Sequence, residues 1–319
     1  MATARALAGK HVRPLGVVLL CACLALPAHA RRMEAVTFPS LDRDANGNAL
    51  ELRAMLLLPP GSPPDAGRPA IIALHGCGGM YSRRAGHERQ LAERMALRAD
   101  PLLRDGYAVL FVDSFGPRGL GEVCTIRSGA RTIRAATRRL DALGALTYLA
   151  SRKDVARDRI ALIGWSHGGS AVLQAVNTRD AAVSGFFERP GAPPFFRAAV
   201  ALYPGCVTPL KAGDRYAPGA PTRVHIGLLD DWTPAATCAE LGNAMAARDE
   251  DLLVTTYPDS YHAFDSPTGS VVVRTDVPNG VNPGRGVHVG PNPVARDAAN
   301  ASVRAFLRQR LAPDAHANR

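Results

Sequence analysis

The chain has 319 residues, a formal net charge of +10 at pH 7 and 47% hydrophobic residues. Its positive charge is mostly arginine scattered along amphipathic segments, without the interleaved aromatic and basic residues that bind single strands, so nucleic acid is not an expected partner. After the first thirty residues no stretch is long and apolar enough for membrane insertion, and the length suits one α/β domain with long loops.

The N-terminal residues 1–30 have the pattern of a secretory signal peptide. A basic segment without acidic residues comes first, an apolar core covers residues 15–26, and an A-x-A cleavage motif ends at Ala30. We therefore predict cleavage after Ala30, a periplasmic or secreted location, and a single mature domain over residues 31–319. A lipoprotein is the alternative, since the sequence around Cys21 loosely resembles a lipobox.

Short apolar runs alternate with helical patterns along the mature chain, after an opening β pair over residues 31–58. Buried strands are predicted at residues 70–74, 107–112, 160–163, 198–202, 223–228 and 252–257. Helices are predicted at residues 87–103, 132–151 and 235–248 and at the C-terminal end. This alternation predicts a mostly parallel central sheet with helices on both faces. Right-handed crossovers would then gather the strand ends, and the functional residues that follow them, at one edge.

Two segments lack this periodicity. Residues 186–196 are rich in proline and aromatic residues, which indicates a loop or a small lid. Residues 266–293 contain many glycines and prolines, so we expect a long loop that has a function or wraps the surface.

The segment 160–176 reads as a strand, a tight turn and a helix, and the turn carries the pattern G-x-S-x-G. This is the context of a nucleophile elbow, with Ser166 as the nucleophile. Gly164 and Gly168 are needed because a side chain two residues from the serine would collide with the neighbouring strand or helix. The alternative is a glycine-rich turn with an idle serine.

An acid and a histidine follow later strands in the order Ser166, Asp230, His262, as the hydrolase fold requires. A serine hydroxyl is a poor nucleophile at neutral pH, so a base must take its proton, and we expect His262 to do so. A carboxylate must orient that imidazole. Asp230 is preferred for this role, and the adjacent Asp231 is the alternative.

The oxyanion of the reaction needs two preorganised N–H donors. The backbone N–H of His167, directly after the nucleophile, is one candidate. The other is the N–H of Cys77, in the H-G-C-G turn after the first buried strand, which is close to the HGGG-type loop of esterases. His75 in the same turn is expected to brace the turn.

Six motifs occur in this order: I-A-L-H-G-C-G-G, F-V-D-S-F-G-P-R-G, I-G-W-S-H-G-G, A-L-Y-P-G-C, L-D-D-W-T-P-A and Y-H-A-F-D. Over roughly residues 50–310 the sequence resembles the dienelactone hydrolase family of α/β hydrolases. The resemblance implies the α/β-hydrolase fold and a triad of Ser166, Asp230 and His262. Dienelactone hydrolases proper use a cysteine nucleophile and a nearby glutamate, and this chain has a serine and no acid at residues 75–79. Fold and triad are therefore expected to carry over, but the dienelactone substrate is not.

The resemblance also places two further residues near the site. Asp113 and Arg118 follow a neighbouring strand, where an internal salt bridge is one expectation and binding of a substrate carboxylate by Arg118 is the other. Trp232, beside the acid, is expected either to line the acyl pocket or to serve in packing.

Four cysteines remain after the predicted cleavage, and an even count in an oxidising compartment indicates two disulfides with three possible connectivities. Cys77 and Cys124 follow two neighbouring strands of the expected fold. Cys206 follows a strand end, and Cys238 opens the helix after the next one. We therefore predict the bridges 77–124 and 206–238.

These features predict a secreted serine hydrolase that cleaves small-molecule carboxylic esters through an acyl-enzyme, with no metal or organic cofactor. A peptidase or a polyester hydrolase of the same fold is an alternative, because loops 181–196 and 266–293 would shape the pocket. Two further alternatives are a non-catalytic binding protein on this fold and a thiol-based redox protein.

Overall fold

The computed structural model describes residues 1–3, 32–44 and 46–313. The predicted signal peptide, except for its first three residues, and its cleavage site at Ala30 lie outside the described residues. Residues 31–319 form one compact unit. Among the described helices, none combines the length and the apolar character needed to cross a membrane.

Ten strands and seven helices make up the described part of residues 31–319. The strands are β1 (Arg32–Arg43), β2 (Ala49–Leu58), β3 (Arg68–Leu74), β4 (Ala108–Asp113), β5 (Val155–Trp165), β6 (Ala198–Leu202), β7 (Thr222–Gly227), β8 (Leu252–Tyr257), β9 (Val272–Arg274) and β10 (Val287–Val289). The helices are α1 (Glu93–Arg104), α2 (Ala135–Ser151), α3 (His167–Ala175), α4 (Ala181–Phe187), α5 (Val207–Ala212), α6 (Ala235–Ala246) and α7 (Pro293–Leu311).

Eight of the strands form one sheet in the order β1-β2-β4-β3-β5-β6-β7-β8. β1 pairs antiparallel with β2, and β2 with β4, whereas all pairs from β4 to β8 are parallel. In the centre Ile72 of β3 lies beside Leu110 of β4 and Leu162 of β5. The sheet is therefore mostly parallel, and the carboxyl ends of its parallel strands lie at one edge.

Helices cover both faces of this sheet. α2 and α3 pack on each other and on β3 and β5, while α1 packs on β2 and β4 and α7 packs on β5 and β6. A salt bridge joins Arg304 of α7 to Asp105, directly after α1. Every residue of β4 and β6 is buried, as expected for strands that are covered on both faces. The α/β architecture predicted from the alternating pattern is confirmed.

Most strand predictions agree with the structure to within two residues, and residues 198–202 and 252–257 match it fully. The helix predicted from residue 87 begins instead at Glu93, because residues before it form turns and a β bridge between Tyr81 and Leu91. The long loop expected at residues 266–293 contains the short hairpin of β9 and β10.

The aromatic segment at residues 186–196 is largely a loop, but it is not a lid. Phe186 and Phe196 are buried, and Phe187 and Phe195 pack against the same core with their ring centroids 4.4 Å apart. Burial of these rings secures the loop between α4 and β6 to the domain.

Both predicted disulfides are present. Cys77 is bonded to Cys124, and Cys206 is bonded to Cys238. The first bridge ties the turn after β3 to the segment after β4, and the second ties the end of β6 to α6. Both therefore fix loops at the edge of the sheet where the parallel strands end.

Candidate active site

Ser166 lies between the end of β5 and the start of α3, in the turn predicted to be a nucleophile elbow. Its φ and ψ angles are 54° and −119°, a conformation that side-chain-bearing residues rarely adopt. A Cβ at Gly168 would lie 2.0 Å from the backbone oxygen of Leu74, and one at Gly164 would lie 2.4 Å from the oxygen of Gly168. Only glycine fits either position, so the surrounding backbone enforces the strained turn.

Three side chains from three different strand ends meet at this turn. His262 Nε2 lies 2.8 Å from Ser166 Oγ, and His262 Nδ1 lies 2.8 Å from Asp230 Oδ2. Both His262 and Asp230 are buried. Since a carboxylate only accepts hydrogen bonds, Nδ1 carries the imidazole hydrogen and Nε2 is left to accept from the serine hydroxyl.

Asp230 is held by donors on both of its oxygens. Oδ1 accepts from the backbone N–H groups of Trp232 and Thr233, at 2.9 and 2.8 Å, and Oδ2 accepts from the Thr233 hydroxyl at 2.9 Å. These bonds fix the orientation of the carboxylate toward His262. Thr233 was not predicted to take part in the site, although it belongs to the L-D-D-W-T-P-A motif.

Asp231, the alternative acid, does not reach His262. Its carboxylate accepts from the backbone N–H and from Nδ1 of His288 in β10, at 2.9 and 2.7 Å. Its backbone oxygen accepts from Val281 N–H at 2.8 Å. Asp231 therefore joins the loop after β7 to the 272–290 segment, and Asp230 is the aspartate in contact with His262.

The turn after β3 lies directly against the serine. A Cβ at Gly76 would be 3.5 Å from Ser166 Cβ, and the next residue is Cys77, whose backbone oxygen accepts from Val123 N–H at 2.8 Å. Within the described part of the chain, the N–H groups of Cys77 and His167 donate no hydrogen bond to a protein acceptor. Two free N–H donors thus accompany the serine on neighbouring segments.

His75 is fully buried beneath this turn. Its Nε2 accepts from the backbone N–H of Ser114 at 3.3 Å, so the hydrogen of the neutral ring lies on Nδ1. Nδ1 donates it to the backbone oxygen of Gly76 at 2.7 Å. Burial, reinforced by the positive charge of Arg138, lowers the pKa of His75 well below its usual value. A neutral His75 therefore links the turns after β3 and β4, in agreement with the bracing role predicted for it.

A second group of buried polar side chains contacts His262 through Tyr203, and sequence reasoning missed it as well. The Asp265 carboxylate accepts from Trp165 Nε1 at 2.8 Å, from the Tyr203 hydroxyl at 2.7 Å, and from two nitrogens of Arg98 at 2.6 and 2.9 Å. Burial alone would lower the pKa of Arg98, but Asp265 raises it above its usual value. The Tyr203 ring packs edge-on against His262, with centroids 4.6 Å apart. The only sequence signal was Asp265 in the Y-H-A-F-D motif.

Two cavities open on either side of Ser166. The first, of about 230 Å³, is lined by Ser166, His262 and Trp232. Its wall also carries four arginines: Arg83, Arg94, Arg98 and Arg274. The second, of about 170 Å³, shares Ser166 and Trp232 with the first and is lined by His167. Trp232 lines both cavities and also packs on His262, with their ring centroids 4.7 Å apart.

Arg118 is not brought to the serine. Its guanidinium bonds to Asp141 and Asp42, each through a contact of 2.8 Å or less, and it lines neither cavity beside Ser166. The internal salt bridge expected at this loop therefore forms, but it does not involve Asp113. That carboxylate accepts two backbone N–H groups of the following turn and lies 3.9 Å from Arg53.

Comparisons with known proteins identify the fold and the family. A search of curated proteins found no significant match. Among solved structures, a dienelactone hydrolase-like promiscuous phosphotriesterase from metagenomic libraries matches with 18% identity and a TM-score of 0.59, covering 87% of this chain and 98% of its own. Esterase 2 of Thermogutta terrifontis, phosphoramylated by tabun, matches with 16% identity and a TM-score of 0.56, covering 88% and 97%.

Dipeptidyl peptidase 4 of Porphyromonas gingivalis also matches, with 16% identity and a TM-score of 0.55, over 88% of this chain but only 36% of its own. At these identities the likenesses show the fold alone, the α/β-hydrolase fold. The family model described as the dienelactone hydrolase family matches residues 53–311, which is most of the chain. The chain is therefore a hydrolase by family and belongs to the dienelactone hydrolase family.

Proposed function

We propose that the protein is a serine hydrolase that cleaves carboxylic esters through an acyl-enzyme, with Ser166, Asp230 and His262 as its triad. One observation carries this proposal. The atoms Oγ, Nε2, Nδ1 and Oδ2 of the three side chains form a continuous chain of 2.8 Å contacts that begins at a strained elbow serine.

Acylation begins when Ser166 Oγ attacks the ester carbonyl carbon and His262 Nε2 takes the hydroxyl proton. The carbonyl oxygen becomes an oxyanion, which the N–H groups of Cys77 and His167 are placed to bind. The tetrahedral intermediate then collapses. Its bond to the alcohol oxygen breaks, and the alcohol leaves with the proton held by His262.

Deacylation repeats these steps with water. His262 takes a proton from the water as its oxygen attacks the acyl carbon, and the same two N–H groups bind the second oxyanion. Collapse releases the carboxylic acid, and Ser166 Oγ regains the proton from His262. Asp230 accepts from Nδ1 throughout and stabilises the imidazolium that forms twice in each cycle.

An ester is favoured over an amide because of the similarity in fold to a known esterase, over nearly the whole length of that chain. The likeness to dipeptidyl peptidase 4 keeps a peptidase as a second candidate, but this chain spans only about a third of that enzyme. A binding protein would have no use for the aligned triad.

Export to the periplasm or beyond is part of the proposal, with residues 1–30 removed as a signal peptide and residues 31–319 as the mature domain. The two disulfides support it, since such bonds persist in oxidising compartments. N-terminal sequencing of protein recovered outside the cytoplasm should begin at Arg31. If the protein began instead at Cys21 with a lipid attached, it would be a membrane-anchored lipoprotein.

The test of the activity is labelling with a fluorophosphonate, followed by peptide mapping and assays on p-nitrophenyl esters. We expect the label on Ser166 and turnover of short acyl esters. The Ser170→Ala variant, four residues along α3, is the matched control and should still be labelled. No label and no turnover in folded, oxidised protein would contradict the proposal and favour a binding protein.

A further inference from the structure

The second cavity beside Ser166 is lined by His167, whose backbone N–H was assigned above to the oxyanion. No role was predicted for its imidazole ring. Arg138 Nη1 lies 3.0 Å from His167 Nδ1. Arg138 is completely buried in α2, and its guanidinium lies 5.2 Å from the centre of the Phe115 ring.

The direction of the bond between Arg138 and His167 follows from chemistry. A guanidinium has donors and no acceptor, so His167 Nδ1 must accept and the ring hydrogen must lie on Nε2. Burial lowers the pKa of Arg138 to about 10, which still leaves it protonated at neutral pH. Burial and the charge of Arg138 lower the pKa of His167 well below its usual value, so the ring stays neutral.

Arg138 has no other hydrogen-bonded task in the described structure. Its Nε and Nη2 atoms are buried without a hydrogen-bond partner there. The nearest acid along its helix, Asp141, is occupied by Ser40 and Arg118. Keeping a cation buried with two unsatisfied nitrogens is costly, so a role in fixing the His167 tautomer explains an otherwise unfavourable placement.

The remaining nitrogen, Nε2, donates to no acceptor in the described structure. It is not fully buried, so it is accessible from the outside. Three other polar side chains of the cavity are already hydrogen-bonded within the protein. The Ser128 hydroxyl donates to Asn279, the Asn279 amide donates to the Ile126 oxygen, and the Ser170 hydroxyl donates to the Ser166 oxygen. His167 therefore supplies an uncommitted donor to this cavity.

We propose that the His167 ring, held by Arg138 with its hydrogen on Nε2, binds an oxygen acceptor on the substrate limb that enters the second cavity. The substrate class would be esters with an ether, carbonyl or hydroxyl oxygen in that limb. Arg131, which also lines this cavity, favours electron-rich groups in the same limb. Arg138 is then a positioning residue and His167 a specificity-determining one. This inference rests on the proposed ester hydrolysis.

The test compares isosteric substrates that differ by one oxygen. One pair is p-nitrophenyl methoxyacetate and p-nitrophenyl butyrate, which probes the acyl limb. The other is 2-methoxyethyl acetate and butyl acetate, which probes the alcohol limb. Each variant is measured as the ratio of kcat/KM values within a pair, so that intrinsic reactivity and general damage to the enzyme cancel.

In Arg138→Met and His167→Phe we expect one of these ratios to fall about fivefold, the size of one neutral hydrogen bond. The matched control is Arg139→Met, which removes the next arginine of α2, paired with Asp180, and should leave both ratios unchanged. A fall in one pair also identifies the limb. Ratios that stay the same in both variants would overturn the inference while Ser166-dependent hydrolysis still held.

A measurement on the unaltered protein guards against variants that do not fold. In the ¹⁵N spectrum of the imidazoles at pH 7, His167 should be neutral with its hydrogen on Nε2. A protonated ring, or one with its hydrogen on Nδ1, would refute the tautomer on which the proposal depends. Absence of hydrolysis of all four esters by the wild-type protein would instead remove the proposed function.

Discussion

The two adjacent aspartates after β7 provide a sharp internal comparison, because an aspartate-to-asparagine exchange keeps the shape of either side chain. In Asp230→Asn, the amide oxygen can still accept from the N–H groups of Trp232 and Thr233 that now hold Oδ1. The amide nitrogen would then face His262 Nδ1. Two donors cannot share that 2.8 Å contact, so the imidazole must move its hydrogen to Nε2.

With its hydrogen on Nε2, His262 donates toward Ser166 Oγ and no longer accepts the hydroxyl proton. We therefore expect kcat to fall by about 10⁴, the loss seen when the same exchange is made in another serine triad. That factor corresponds to about 5 kcal/mol of transition-state stabilisation. The free energy of unfolding should change little by comparison, because the exchange removes charge without removing volume.

Asp231→Asn is the matched control. It weakens the pairing with His288, whose side chain is 42% exposed, and an exposed pair contributes at most about 1 kcal/mol. We expect kcat to stay within about tenfold of the wild type. The assay is hydrolysis of p-nitrophenyl acetate, with urea unfolding of all three proteins. If Asp231→Asn proved the more damaging exchange, or Asp230→Asn lost less than tenfold, the assignment of Asp230 would be wrong.

Two further predictions concern stability. Replacing Cys77 and Cys124 by alanine opens a loop with a sequence separation of 47 residues and should cost about 4 kcal/mol of unfolding free energy in the chain-entropy model. It should also lower kcat, because the turn that carries the Cys77 N–H becomes less rigid. The same change at Cys206 and Cys238 should lower the unfolding free energy by a similar amount but lower kcat less. Urea unfolding measures the stability and ester assays measure kcat. Equal losses of kcat in the two double variants would contradict this prediction. His225 is buried and its pKa is lowered to about 4, so its neutral form stabilises the fold above pH 6.5 and that contribution is lost as the pH falls toward 4. Urea unfolding at pH 7 and 4.5 should show wild type losing about 2–3 kcal/mol more than His225→Gln, and parallel pH profiles would refute this.

The fold could be predicted because its signals are local. Strands buried on both faces read as short apolar runs, and the elbow requires glycines at fixed positions around Ser166. The positions of Asp230 and His262 followed from where strands end, since the carboxyl ends of parallel strands gather at one edge. The disulfide pairing could be inferred for the same reason, from neighbouring strand ends.

What the sequence could not provide depends on side-chain direction and on contacts across the fold. Adjacent residues at a turn point in different directions, so only the structure places Asp231 toward His288. The hairpin of β9 and β10 was missed because each strand has three residues within a segment rich in glycine and proline. The tautomer of His167 is set by Arg138, a residue 29 positions earlier whose burial no motif indicated.

The most direct test of the central claim is the reaction of Ser166 itself. The wild-type protein, purified oxidised, should carry a fluorophosphonate on Ser166 and hydrolyse short acyl esters, and Ser166→Ala should lower kcat by roughly 10⁶ by analogy with another serine triad. Label on a different residue, or a loss of less than tenfold in a folded Ser166→Ala protein, would contradict a hydrolase built on this serine.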